Sequence, residues 1–122
     1  MSSPAVSSPA GTGSAPEDAP PPYIGKVVWV SLPSGRSLQV HPTPSGRRAT
    51  SGAAAEDAAW AEVVRMAPDA ETPGMRAQFD CHWELARVAE PAKTSWNLEP
   101  WRPVVPGRTL YETRCNPGGP EV

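Results

Sequence analysis

The chain has 122 residues, eleven basic and thirteen acidic side chains, and a formal net charge of −2. This length allows one domain at most. Glu17 and Asp18 carry the whole net charge, and the longest basic run is Arg47–Arg48. These features exclude binding to a phosphate backbone, so we expect no nucleic-acid partner. Because no apolar run approaches 18 residues, we also expect no transmembrane segment.

Residues 1–22 consist almost entirely of Ser, Ala, Gly and Pro and contain no aromatic residue. Such a segment buries too little apolar surface to offset the entropy of ordering it. The composition predicts a disordered tether, followed by a single globular domain over residues 23–122. The N-terminus has neither a basic nor an apolar signal region. A tether of this kind often remains when an export signal has been removed, and we therefore predict a secreted or cell-envelope location.

The first predicted elements are two strands. Residues 23–30, YIGKVVWV, are rich in β-branched and aromatic residues and predict a well-covered strand. SLPSG follows as a turn, and Leu38 and Val40 then alternate with polar residues. This pattern predicts an antiparallel β-hairpin with a longer loop. Residues 42–53 are predicted to be loop.

Two helices are predicted next. Residues 54–67 have a helical period that places Ala59, Trp60 and Val63 on one arc and Glu62 on the opposite, polar one. The second helix is predicted over residues 73–89.

Thr72 is a suitable N-cap for this second helix, and Pro73 fits its first position. Its apolar arc is expected to contain Met75, Phe79, His82 and Ala86, and its polar face Arg76, Asp80, Glu84 and Arg87. The later prolines forbid a long helix or a central strand. Only a short helical turn is expected around Leu110, with that side chain facing inward.

The two cysteines, Cys81 and Cys115, allow a single pairing. Closing the 34-residue interval between them would contribute roughly 3.7 kcal/mol in the chain-entropy model. The alternative is two buried free thiols in a cytosolic protein. Since the Pro- and Gly-rich tail has little else to hold it, we favour the disulfide and an oxidising compartment.

His82 and Gln78 are the first candidates for chemistry. Two cysteines and two histidines without metal-ligand spacing predict neither a metal site nor a cofactor. His82 projects from the apolar arc, so it is either a core imidazole bonded to a backbone carbonyl or a functional histidine in a pocket. Gln78 lies one turn earlier on the same side and would share such a site.

The segment KTSWNLEPWRP at residues 93–103 combines two tryptophans with an amide, a carboxylate and two cations. Glu99 is the candidate acid there, and it either cross-links the loop or acts in a tryptophan-lined groove. Tryptophan faces stack on sugars and on Pro-rich peptides. The candidate ligand-binding residues are therefore Lys93, Trp96, Asn97, Glu99, Trp101 and Arg102, with Gln78 and His82 nearby.

Three segments carry a resemblance to a known family: TPGMRAQFDCHWELA at 72–86, KTSWNLEPWRP at 93–103 and CNPGG at 115–119. Together they resemble the bacterial family called domain of unknown function 2599. The resemblance implies an exported or lipid-anchored protein, with a leader and a low-complexity linker ahead of the domain. It implies no activity, and no leader is visible in this sequence.

The sequence predicts a small α+β domain in which an antiparallel hairpin or small sheet packs on two helices. A Pro-rich C-terminal segment wraps back and is held by the Cys81–Cys115 disulfide. The leading functional hypothesis is a monomeric binding module without catalysis, whose partner is an unidentified envelope glycan or protein. One alternative is a small hydrolase of envelope glycans that uses Glu99 with His82. The other is a purely structural interaction domain.

Overall fold

The computed structural model describes residues 20–49 and 52–118. The predicted tether over residues 1–22 lies mostly outside this range. The strands are β1 (Ile24–Leu32), β2 (Gly35–Pro42) and β3 (Trp96–Leu98). The α-helices are α1 (Pro44–Arg48), α2 (Ala53–Met66), α3 (Pro73–Cys81), α4 (Arg87–Ala89) and α5 (Gly107–Glu112).

The strands form an antiparallel sheet in the order β1-β2-β3. The predicted longer loop of the hairpin is wrong, because Leu32 pairs with Gly35 and leaves a two-residue turn. Gly35 has a φ of +134°. A Cβ atom at that position would lie 2.6 Å from Cδ1 of Trp101. Glycine therefore gives both the turn conformation and the close approach of the indole.

The core lies between one face of the sheet and helices α2 and α3. Phe79 is at its centre, with ring centroids 5.3 Å from Trp60, 6.0 Å from Trp83 and 6.1 Å from Trp96. Aromatic pairs at these separations add to the stabilisation that comes from burial alone. The aliphatic part of the core includes Ile24, Leu38, Val40, Val63, Met75 and Leu98. This packing confirms the predicted α+β arrangement.

Glu62 is buried, which corrects its predicted place on the polar face of α2. Its carboxylate accepts hydrogen bonds from the backbone N–H groups of Tyr23, at 2.9 Å, and Ile24, at 2.8 Å. A carboxylate that caps two amides at the start of a strand is satisfied without solvent. Glu62 therefore fixes the beginning of β1 against α2.

The loop predicted over residues 42–53 contains helix α1. The hydroxyl of Thr43 accepts a hydrogen bond from the N–H of Gly46 at 2.9 Å, and Pro44 occupies the first helical position. These are standard helix-start features. The prediction missed α1 because a helix this short has too few residues to show a hydrophobic period.

The second predicted helix is interrupted by one wide turn. Helix α3 runs into a π-helical turn at His82–Ala86, and α4 continues from there. Arg87, predicted on the polar face, is buried. It donates hydrogen bonds to the carbonyls of Trp83 and Ala49, and its guanidinium lies 4.7 Å from the centre of the Trp83 ring. Arg87 therefore joins this helix to the segment before α2.

The C-terminal part is held by the Cys81–Cys115 disulfide, whose Cα atoms are 5.7 Å apart. The predicted pairing is confirmed, and the alternative of two free thiols is wrong. Leu110 of α5 faces inward as predicted and packs with both cysteines in a second, smaller apolar cluster. None of the helices in the described part of the chain is both long and apolar enough to cross a membrane.

Three carboxyl groups meet where α2 packs near α3. Burial first, and then side-chain hydrogen bonds and charge repulsion from Asp80 and Glu84, together raise the pKa of Glu56 from 4.5 to about 8. Arg87 gives partial charge compensation to Glu56, while Arg76 pairs with Asp80 at 2.8 Å. Glu56 is therefore protonated in the folded state over a range in which the unfolded chain has lost that proton.

We expect this group to make the domain less stable as the pH rises from about 5 to about 8. The folded pKa lies above the unfolded one, so the contribution of protonated Glu56 is complete below pH 4.5 and is lost as the pH passes about 8. Glu56→Gln should remove this dependence, which is at most roughly 4–5 kcal/mol for a pKa that rises from 4.5 to about 8. Urea unfolding at several pH values measures it. If the free energy of unfolding changed equally with pH in the variant and the wild type, the raised pKa would not belong to Glu56.

Candidate functional site

The carboxylate of Glu99 is fully buried at the end of β3. One of its oxygens accepts a hydrogen bond from the hydroxyl of Ser37 at 2.5 Å, and the other accepts one from Nε of Arg102 at 2.7 Å. The Glu99 and Arg102 side chains are both inaccessible to solvent. Glu99 and Arg102 therefore form a buried ion pair, and each oxygen of the carboxylate accepts a hydrogen bond. Such a pair has a structural role and does not face a ligand.

The side chain of Gln78 holds the same segment from the helix side. Its amide donates to the carbonyl of Glu99 at 2.8 Å and accepts from the N–H of Glu99 at 2.8 Å. Arg102 in turn donates to the carbonyl of Pro117 at 3.0 Å. Helix α3, the end of the sheet and the C-terminal tail are thereby connected through one buried polar network.

The predicted ligand surface around residues 96–102 is therefore mostly interior. Trp96, Glu99 and Arg102 are buried because they connect the sheet to the helix and the tail. Trp101 is half-buried, with its ring against the Arg102 guanidinium at 4.4 Å. Asn97 is half-buried beside Gln39 of β2. Of the five predicted contact residues within 96–102, Asn97 and Trp101 alone reach solvent, and each does so in part.

A groove of about 690 Å³ runs beside the π-helical turn. One side of it consists of His82, Leu85, Ala86, Ala89 and Glu90. The opposite side consists of Tyr111, Arg114, Cys115 and Asn116, and Lys93 also lines the groove. We call this the His82 groove. Two of the predicted ligand residues, His82 and Lys93, line it, whereas Glu99 does not.

His82 is buried and fixed in orientation. Its Nδ1 lies 2.8 Å from the carbonyl of Gln78, so this nitrogen carries a hydrogen and donates. Its ring lies nearly parallel to that of Trp96, with centroids 6.2 Å apart. The bond to a backbone carbonyl is the one expected of a core imidazole, and the same side chain also lines the groove. Both sequence-based interpretations of His82 therefore describe part of its surroundings.

Two backbone irregularities face each other across the His82 groove. The π-helical turn at His82–Ala86 forms one side. On the other side, Arg114 and Cys115 have φ values of +53° and +67°, in the left-handed region that residues other than glycine rarely adopt. The left-handed residues belong to the cap that ends α5, in which the N–H of Cys115 donates to the carbonyl of Leu110 at 2.8 Å. Wide helical turns are frequent at functional sites in proteins. The π-helical turn therefore makes the groove the candidate site.

Arg114, Tyr111 and Asn116 were not among the predicted site residues. Their neighbours in the sequence, apart from the cysteine, carry no pattern that indicates a binding site. Left-handed backbone is usually signalled by Gly or Asn, and here it occurs at Arg and Cys. The only sequence signal was the cysteine pairing, which brings the tail beside α3.

A smaller groove of about 250 Å³ lies on the other side of the disulfide. Asp80, Glu84, Val105 and Tyr111 contribute to its walls. Within residues 20–49 and 52–118, no three His, Cys, Asp or Glu side chains are arranged to hold a metal ion.

Comparison with known proteins gives the family. The model of the family described as "Protein of unknown function (DUF2599)" matches residues 24–118. The chain belongs to this family. The DUF2599 match includes the whole sheet, the helices and both sides of the His82 groove.

Curated relatives of this DUF2599 domain occur in mycobacteria. An uncharacterized protein of Mycobacterium tuberculosis is 56% identical over 95 residues, which cover 76% of this chain and 62% of the relative. An uncharacterized protein of Mycobacterium leprae is 40% identical over 99 residues, which cover 80% of each chain. The match thus spans less than two thirds of the Mycobacterium tuberculosis relative. No solved structure matches this chain.

Proposed function

We propose that this domain is a secreted or envelope-associated binding module without catalysis of its own, and that the His82 groove takes the ligand. The observation that carries the proposal is a groove of about 690 Å³ between the π-helical turn and the tail that the Cys81–Cys115 disulfide fixes. Ligand sites commonly have this size and combine an apolar lining with a few polar groups.

The lining of the groove fits this role. Leu85, Ala86 and Ala89 provide apolar surface along the helix, and the opposite side provides a hydroxyl, a guanidinium and an amide. The Cys81–Cys115 disulfide fixes that side to α3. A site held in place before the ligand arrives loses less entropy on binding.

The buried position of Glu99 favours binding over hydrolysis. A general acid must come within hydrogen-bond distance of the substrate. Both oxygens of Glu99 are engaged with Ser37 and Arg102, and the side chain is inaccessible to solvent. The hydrolase that pairs Glu99 with His82 would need this network to open.

A matched pair of substitutions tests the groove. Ala89 lines it and is exposed, whereas Val88 is 64% exposed and does not line it. We expect Ala89→Trp to fill the groove and to remove binding of fragments found by ligand-observed NMR with the wild type. Val88→Trp should leave that binding unchanged. Fragments that bind all three proteins equally would show that the ligand site lies elsewhere.

The proposed location has its own test. Cells of the native host are first quenched rapidly with acid, and their protein is then treated with a thiol-reactive reagent of high mass. The mass added reports whether Cys81 and Cys115 are oxidised. An exported domain should show no modified thiols without reduction and two after it. Two reactive thiols in the unreduced sample would overturn the assignment to an oxidising compartment.

A further inference from the structure

We propose that the His82 groove recognises an organic anion, a carboxylate or phosphate group carried on an apolar body, and that Arg114 is the residue that contacts its charged group. This inference rests on the proposed function and specifies its ligand class. It comes from the charges of the groove, the chemistry of the guanidinium and the position of the Arg114 backbone beside the groove.

The charged side chains that line the groove are mostly cationic. Lys93 and Arg114 are basic, and Glu90 is acidic. The ammonium of Lys93 already pairs with Glu90 at 3.7 Å. Among residues 20–49 and 52–118, no carboxylate forms an ion pair with Arg114. The cationic charge left for a ligand is therefore that of Arg114.

The chemistry of arginine selects the charged group. A guanidinium presents planar, paired N–H donors, which match the two oxygens of a carboxylate or a phosphate. The side-chain amide of Asn116 donates one N–H to the carbonyl of Arg114 at 3.2 Å and has a second to offer. The hydroxyl of Tyr111 lies on the same side of the groove and is a further donor. An anion on this side would be bound by several donors from one short segment.

The rest of the groove specifies the body of the ligand. Leu85, Ala86 and Ala89 form a continuous apolar strip along one helix face, opposite the polar side. An inorganic ion would leave this strip in contact with water. A ligand with an apolar body covers the strip while its anionic end reaches Arg114, and it gains the burial of apolar surface as well as the ionic contact.

The backbone at Arg114 has a structural cause. Its φ of +53° is the left-handed position of the cap that ends α5, where the N–H of Arg114 donates to the carbonyl of Tyr111 at 3.2 Å and the N–H of Cys115 donates to that of Leu110 at 2.8 Å. This position is usually taken by glycine or asparagine. The cap and the Cys81–Cys115 disulfide together hold the backbone of Arg114 beside the groove.

Calorimetric titration of the disulfide-bonded chain with four hexyl compounds tests the inference. Hexanoate and hexyl phosphate are the anions, and hexanol and hexylammonium are the neutral and cationic controls. We expect at least one anion to bind tenfold or more tightly than hexanol, and hexylammonium to bind more weakly than hexanol. The difference between hexanoate and hexyl phosphate identifies whether a carboxylate or a phosphate is preferred.

Two variants and a control complete the test. Arg114→Gln should weaken anion binding at least tenfold and leave hexanol binding unchanged. Arg114→Gly should lose the same preference while its melting temperature stays equal or rises, since glycine adopts this left-handed conformation freely. Arg108→Gln removes an exposed cation of α5 that does not line the groove, so it should bind like the wild type.

Equal binding of hexanol and both anions, or unchanged anion binding by Arg114→Gln, would overturn the inference. If Ala89→Trp still removed hexanol binding in that case, the groove would remain a ligand site and only the anion preference would fail. Failure of all four compounds to bind also overturns the inference. The proposed function is then decided separately by the fragment comparison of Ala89→Trp with Val88→Trp.

Discussion

Arg102→Met is expected to lower the free energy of unfolding by about 3–5 kcal/mol, because it leaves the Glu99 carboxylate charged in the interior without its cation. Glu99 is inaccessible to solvent, and Arg102 is its partner at 2.7 Å. The substitution also removes the bond to the carbonyl of Pro117, which holds the tail. Urea denaturation of the wild type and the variant at pH 7 measures the loss.

The matched control replaces both members of the pair. Glu99→Leu with Arg102→Met removes both buried charges and should recover much of the stability lost in Arg102→Met, because apolar residues of similar volume can replace a buried ion pair. A double-mutant cycle with the two single variants gives the interaction energy. A loss below about 1 kcal/mol for Arg102→Met, as for an exposed pair, would contradict the burial of this network.

Cys81→Ala with Cys115→Ala should lower the free energy of unfolding by roughly 3.7 kcal/mol, the chain entropy recovered when a 34-residue loop is opened. The bond joins α3 to the segment that forms one side of the His82 groove. Its loss should therefore increase the rate of trypsin cleavage after Arg114, which is exposed on that segment. Denaturation and timed proteolysis measure the two effects.

The reduced wild-type chain is the control for the cysteine variant. Both proteins lack the cross-link, so they should agree in stability and in cleavage rate after Arg114. Cleavage after Arg65, in the last turn of α2 and far in sequence from the disulfide, should respond only to the change in global stability. A variant as stable and as resistant as the oxidised chain would show that other contacts hold the tail.

Much of the fold was predictable because the strong signals are local. The α2 pattern and the Thr72 cap of α3 each depend on a few neighbouring residues, and the structure confirms both. The β3 strand was missed because its three residues lie between prolines and form a strand only by pairing with β2. The wide turn at His82–Ala86 likewise had no periodic signature.

Buried charges caused the main errors. Glu62 and Arg87 fall on the polar faces of their helices by periodicity, yet both are buried. Each satisfies backbone groups from distant parts of the chain, at Tyr23 and Ala49 respectively. Tertiary packing decides which backbone group each charged side chain meets. A single sequence does not give the distance between the side chain and that backbone group.

Only part of the candidate site was predictable, because tertiary packing also decides which of its residues meet. The sequence left open whether Glu99 cross-links the loop or acts in a groove, and in the structure its carboxylate accepts from Arg102 while its backbone bonds to Gln78. The sequence does not say whether such a network faces water or the interior. Arg114 gave no signal at all, because its place depends on a disulfide and on a backbone conformation unusual for arginine.

The most direct test of the His82 groove as the ligand site is a map of amide chemical shifts when hexyl phosphate is added to the ¹⁵N-labelled, disulfide-bonded chain. We expect the perturbed amides to cluster at residues 82–93 and 111–116, and Ala89→Trp to abolish the perturbations. Perturbations centred on Gln39, Asn97 and Trp101, unaffected by Ala89→Trp, would contradict this expectation and return the ligand site to the surface predicted from the sequence.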